Sequence, residues 1–117
     1  MTTLADVVFL GAVALLFVHE LDAIRCAEWR FFFAPTPLRD ETAYRVFTAL
    51  HAPLFVLVFW GLPSPTFRAV FDGFVVAHGG LHVALRNSPN LAFVGRFSWT
   101  WIYGAAALGA VHLLFLI

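Results

Sequence analysis

The chain has no lysine, one cysteine and one methionine, and only 12% of its 117 residues are charged. Each shortage excludes something. The lone cysteine, Cys26, rules out an internal disulfide and a Cys-x-x-Cys metal site. Seven basic residues balance seven acidic ones. Nothing in the net charge therefore suggests nucleic-acid binding, and no such partner is expected. The charged share is about half the usual one and is too small to supply the polar shell of a soluble domain. All seven basic residues are arginine, which we read as compositional bias. The opening stretch, Met1-Thr2-Thr3-Leu4-Ala5-Asp6, puts no basic residue ahead of the first apolar run. That run is expected to be a retained helix rather than a cleaved signal peptide.

What the chain does have is hydrocarbon. Hydrophobic residues make up 62% of it, and the mean hydropathy is +0.87. Four apolar segments stand out, each near the ~20 residues needed to cross ~30 Å of bilayer. The first helix is expected over about 4–33, stopped by Pro35 and Pro37. The second is expected over 37–61. It is announced by Thr36-Pro37, a capping residue followed by proline at the first helical position, with Asp40 and Glu41 in its first turns. Ser64-Pro65 gives the same start signal for a third helix over 65–87, and the fourth is expected over 95–117. The connections are short, which favours antiparallel neighbours. The expected fold is all-α: one integral membrane domain spanning 1–117, with four transmembrane helices in up-down order.

Arginine placement gives an orientation. Arg25, Arg30, Arg39 and Arg45 flank the first loop, and Arg86 and Arg96 flank the third. The second loop has only Arg68. By the positive-inside rule, loops one and three face the cytoplasm and both termini lie outside a multi-pass protein of the cell membrane. The lipid bilayer is then the principal partner. Trp29, Trp60, Trp99 and Trp101 fall near segment ends, where interfacial aromatics belong.

Five histidines interrupt the apolar segments: His19, His51, His78, His82 and His112. Ionisable groups inside membrane helices are costly and mark function. Counting from the arginines at ~1.5 Å per residue, His19 and His51 lie roughly 9 Å deep, His82 roughly 6 Å and His78 roughly 12 Å. Asp22 lies at roughly 4 to 5 Å. Four histidines and one carboxylate, carried by three helices, therefore share one layer. His19 and Asp22 are spaced i,i+3, and His78 and His82 i,i+4, so each pair lies on one stripe of its helix. His112 is too far up the fourth helix to join them. Asp72 stands at its height as a candidate partner, with Arg68 competing for Asp72.

This layer has the chemistry of a metal site. Zinc and iron both accept imidazole and carboxylate ligands. His19, His51, His78 and His82 are the candidate nitrogen ligands. Asp22 is the candidate oxygen ligand, or the partner that fixes a histidine tautomer. Glu20, about 100° around the helix from His19, is the candidate catalytic base for a metal-bound water. Glu28 falls on the far side of a continuous first helix and is expected to pair with Arg25. A divalent metal, with an apolar small molecule as substrate, is the leading reading. Haem held by His51 with His78 or His82, in an electron-transfer protein, is the first alternative. A non-catalytic component whose histidines join helices or relay protons is the second. Gly73, Ala77, Gly80 and Ala84 form a small-residue stripe, as do Ala105 with Gly109 and Ala106 with Ala110. These stripes imply close helix packing and leave oligomers open.

His19-Glu20-Leu21-Asp22-Ala23 followed by Glu28-Trp29-Arg30, then His51-Ala52-Pro53-Leu54 and His78-x-x-Leu81-His82, resembles the pattern of a family of small uncharacterised four-helix membrane proteins. The likeness spans nearly the whole chain. More distantly it is similar to the HXXEE-domain membrane proteins, except that Asp22-Ala23 stands where their adjacent acidic pair belongs. The resemblance implies four helices and histidines that act as a set, and it brings no substrate.

Overall fold

The computed structural model describes residues 3–91 and 95–117. Among them are five helices and no strand: α1 (Leu4–Arg25), α2 (Trp29–Phe33), α3 (Asp40–Gly61), α4 (Pro65–Ala84) and α5 (Arg96–Phe115). α1 starts with a reciprocal cap. The Thr3 hydroxyl accepts from the Asp6 N–H, while the Asp6 carboxylate accepts from the Thr3 N–H.

The expected first helix is broken in two. After Arg25 the Ala27 N–H turns back to the Ile24 carbonyl at 3.2 Å, and the Glu28 N–H to that of Ala23 at 3.0 Å. These two bonds form a Schellman motif with Ala27 at its left-handed position, φ 57°. Glycine normally occupies that position, and its absence is why the break is invisible in the sequence. The short α2 is tied onward instead, because the Asp40 carboxylate accepts from Trp29 Nε1 at 3.0 Å and from the Arg30 guanidinium at 3.0 and 2.9 Å.

That tie also moves the start of α3 from Pro37 to Asp40. The Thr36 hydroxyl donates to the Phe33 carbonyl at 2.7 Å, so it closes the end of α2 rather than capping α3. At α4, by contrast, the Ser64 hydroxyl accepts from the Phe67 N–H at 3.2 Å and Pro65 follows it.

α5 is the central plank, packed along α1 and α4, which also touch each other. A core of Phe9, Ala12, Val13 and Leu16 from α1 meets Phe71 and Val75 from α4 and Ala105 from α5. Two glycines set the α4–α5 distance. A Cβ on Gly79 would stand 2.9 Å from that of Ala106, and one on Gly109 would stand 2.5 Å from Val75 Cγ2. The stripe of Gly73, Ala77, Gly80 and Ala84 faces outward instead; a Cβ on Gly73 or Gly80 would meet nothing within 4 Å. The packing residue is the neighbour of the expected one, a rotation of about 100° on the helix.

α3 is placed differently. It packs on α2 and stands off from α4, leaving a cavity between them. Its outer face carries exposed Val56, Leu57, Phe59 and Trp60. Among the described residues two helices, α1 and α3, are long and apolar enough to cross a membrane.

Candidate metal centre

Three imidazoles and one carboxylate meet beside the cavity. His19 comes from α1, His78 and His82 from successive turns of α4, and Glu28 from the break after α1. One ligand atom from each lies within 4.8 Å of all the others. His19 Nε2 and His78 Nε2 are 3.1 Å apart. Glu28 Oε2 is 3.9 Å from His19 Nε2, and Glu28 Oε1 is 3.7 Å from His82 Nε2. His78 and His82 stack at 4.7 Å, while His19 stands edge-on to both.

Nitrogen atoms converging in this way have a plain chemical meaning. His19 Nε2 and His78 Nε2 can share one hydrogen, one ring donating to the other's lone pair. A cation between the rings accepts every lone pair at once. Ligands around tetrahedral zinc at ~2.0–2.1 Å stand roughly 3.4 Å from one another. The 3.1 Å between His19 and His78, and the 3.7 and 3.9 Å to the two Glu28 oxygens, lie on either side of that value, within a group whose ligand atoms all fall inside 4.8 Å. Burying the Glu28 carboxylate among these groups is costly without a compensating charge. A cation among the imidazoles would offset that cost by favouring the carboxylate.

Beside this group lies a second buried pair. Glu20 Oε2 is 2.8 Å from His51 Nε2, and His51 Nδ1 is 2.8 Å from the Phe47 carbonyl. A carbonyl only accepts, so Nδ1 carries a hydrogen. Nε2 and Glu20 must then share one further proton between them. Glu20, Glu28, His51, His78 and His82 all line the cavity, whose volume is about 480 Å³. The rest of its wall is apolar, including the three phenylalanines of α2, Leu50 and Leu54 of α3, and Leu81 of α4.

The chain belongs to a family of unknown function, DUF6713, matched over residues 5–117. No curated protein and no solved structure matches it. Nothing in the comparisons supports the more distant likeness to the HXXEE-domain proteins.

Of the residues singled out in this DUF6713 chain, His19, His78 and His82 come together. His51 stands outside their group, bonded to Glu20 and to Phe47 of its own helix. Asp22 is also outside it. It is buried next to the Cys26 thiol, which also contacts Ser98, and its Oδ2 has no hydrogen-bond partner among the described residues. Sequence reasoning set Glu28 aside because a continuous helix turns it about 180° from His19. The Schellman break swings it back, and the expected pairing with Arg25 gives way to contact with His19 and His82. Its sequence signal is its place just ahead of Trp29-Arg30 in the run by which the chain resembles small four-helix membrane proteins. His112 Nδ1 bonds Asp72 in a separate, fully buried pair between α5 and α4. Arg68 does not bond Asp72; it bonds Asp6 and the Leu62 carbonyl.

Proposed function

We propose that this chain is a multi-pass membrane protein that holds a divalent metal, zinc or iron, between His19, Glu28, His78 and His82 and works on an apolar substrate in the adjoining cavity. The observation that carries this reading is the meeting of three imidazoles and a carboxylate from three separate segments, all buried or nearly so. In hydrocarbon such a cluster without a cation is expensive. The Glu20–His51 pair lines the same cavity, so Glu20 is placed to take a proton from a water activated at the centre. Both ring nitrogens of His51 are engaged, which favours this reading over haem ligation by His51. Two observations support the membrane setting beyond α1 and α3. α4 and α5 have 20 residues each, about 30 Å of helix. Large apolar side chains also stay exposed on every long helix, including Leu10, Phe59, Val70 and Leu114.

Metal analysis of detergent-purified protein tests the reading. Wild type is expected to carry about one zinc or iron per chain, the count one closed ligand set predicts. A His78→Ala/His82→Ala variant is expected to carry none. Equal metal in the two proteins defeats the proposal.

A further inference from the structure

We infer that the cavity receives a single-chain fatty-acyl amide, head first, with its carbonyl oxygen towards the metal centre and its N–H donated to Glu20 of the Glu20–His51 pair. One of the two head contacts rests on the metal reading above. The argument starts from how polarity is distributed. The polar side chains lining the cavity are Glu28, His78 and His82 from the centre, together with the hydrogen-bonded Glu20 and His51. Phenylalanine and leucine form the rest of the wall. A ligand that fits has an apolar body and polarity at one end only.

That end must satisfy two partners of different kinds. The centre calls for an oxygen lone pair. Both ring nitrogens of His51 are engaged, so the pair offers the cavity only carboxylate lone pairs of Glu20, which call for a donor. An amide with an N–H carries an acceptor and a donor on one carbon and meets both, whereas an ester has no donor and leaves Glu20 unanswered. A simple alcohol has its lone pair and its hydrogen on one oxygen, and reaches both partners only where they converge on that single atom. Size narrows the class further. A cavity of about 480 Å³ holds roughly 16 groups at the ~30 Å³ that a water takes up in the liquid. That is a medium acyl chain with its head inside the cavity. The gap between α3 and α4 faces the exposed apolar sides of both helices, where Leu50 and Leu81 are largely open. A chain dissolved in the bilayer meets hydrocarbon along that whole route.

The test uses dodecanoyl hydroxamate, a single acyl chain with a chelating two-oxygen head, added to metal-loaded protein in lipid nanodiscs. Native mass spectrometry reads the bound probe, and elemental analysis reads the metal in parallel. Wild type is expected to bind one probe. Dodecanol, and the probe on a cavity-filling Leu54→Trp variant, are expected to bind at least about tenfold more weakly. Leu50→Trp on the same wall serves where Leu54→Trp does not fold. Equal binding to a tryptophan variant that keeps its metal overturns the cavity as the seat of the chain. Equal binding of dodecanol overturns the reading of the head. A wild type devoid of metal is seen by elemental analysis alone and defeats the metal reading separately.

Discussion

Glu28 and Asp22 are both carboxylates on or just after α1, and both are buried, at 5% and 8% exposure. Only Glu28 reaches the imidazoles. Replacing each by its amide keeps the shape and removes the charge, so the pair separates a ligand from a bystander. Glu28→Gln is expected to weaken zinc affinity by at least about tenfold, since even partners that only orient a ligand cost 10–100-fold when removed. Asp22→Asn is expected to leave affinity unchanged. Competition against a chelator of known strength measures both, and a loss in Asp22→Asn equal to that in Glu28→Gln would show that the carboxylates act indirectly. The contrast also marks what the sequence could disclose. His78 and His82 are one turn apart and His19 lies at their depth, and both facts follow from helix geometry alone. Glu28 joins them through a turn that has no glycine to announce it. His51 and Glu20 find each other across two helices, with the carbonyl of Phe47 holding the ring. No spacing within one helix encodes that meeting.

At the scale of elements, the break between α1 and α2 decides the geometry of the centre. Ala27 holds φ at 57°, where an L side chain costs about 1 kcal/mol or more. The surroundings keep it there. Glu28 lies among the histidines, and Trp29 and Arg30 are bonded to Asp40 at the start of α3. Ala27→Gly removes the strain and is expected to raise the thermal stability of the detergent-solubilised protein by up to about 1 kcal/mol, with metal content unchanged. Ala27→Pro fixes φ near −65° and forfeits the Ala27 N–H bond to Ile24, so metal is expected to be lost. Metal retained in Ala27→Pro would mean that the break does not position Glu28. Other boundaries were open to sequence reading for the opposite reason. Ser64-Pro65 caps α4 through a side chain and a ring whose preferences are local. Thr36-Pro37 looks the same on paper, but its hydroxyl is spent on Phe33, and long-range bonds to Asp40 set the start of α3.

Across the whole molecule, charge and polarity are split between two ends. The histidine centre sits towards the end that carries Arg25, Arg30, Arg39, Arg45, Arg86 and Arg96. The buried Asp72–His112 pair and the Asp6–Arg68 ion pair sit towards the other. The molecule is 48 Å along its long axis, close to the ~40–45 Å of a bilayer with its headgroups. If four helices span, the arginine-rich end faces the cytoplasm, because translocating six arginines is opposed far more strongly than translocating one. The single native thiol makes this measurable. In a Cys26→Ser background, Asn90→Cys lies on the connection between α4 and α5 and Pro63→Cys on that between α3 and α4, and both positions are exposed. A membrane-impermeant maleimide added to intact cells is expected to label Pro63→Cys at once and Asn90→Cys only after the membrane is opened. The reverse pattern would invert the orientation and put the metal centre in the outer leaflet. Labelling of both from outside would mean that α4 does not cross. The His78–His82 stripe would then have to be shielded from water by the protein alone, which an α4 face with Val70, Phe74 and Leu81 exposed is poorly made to do.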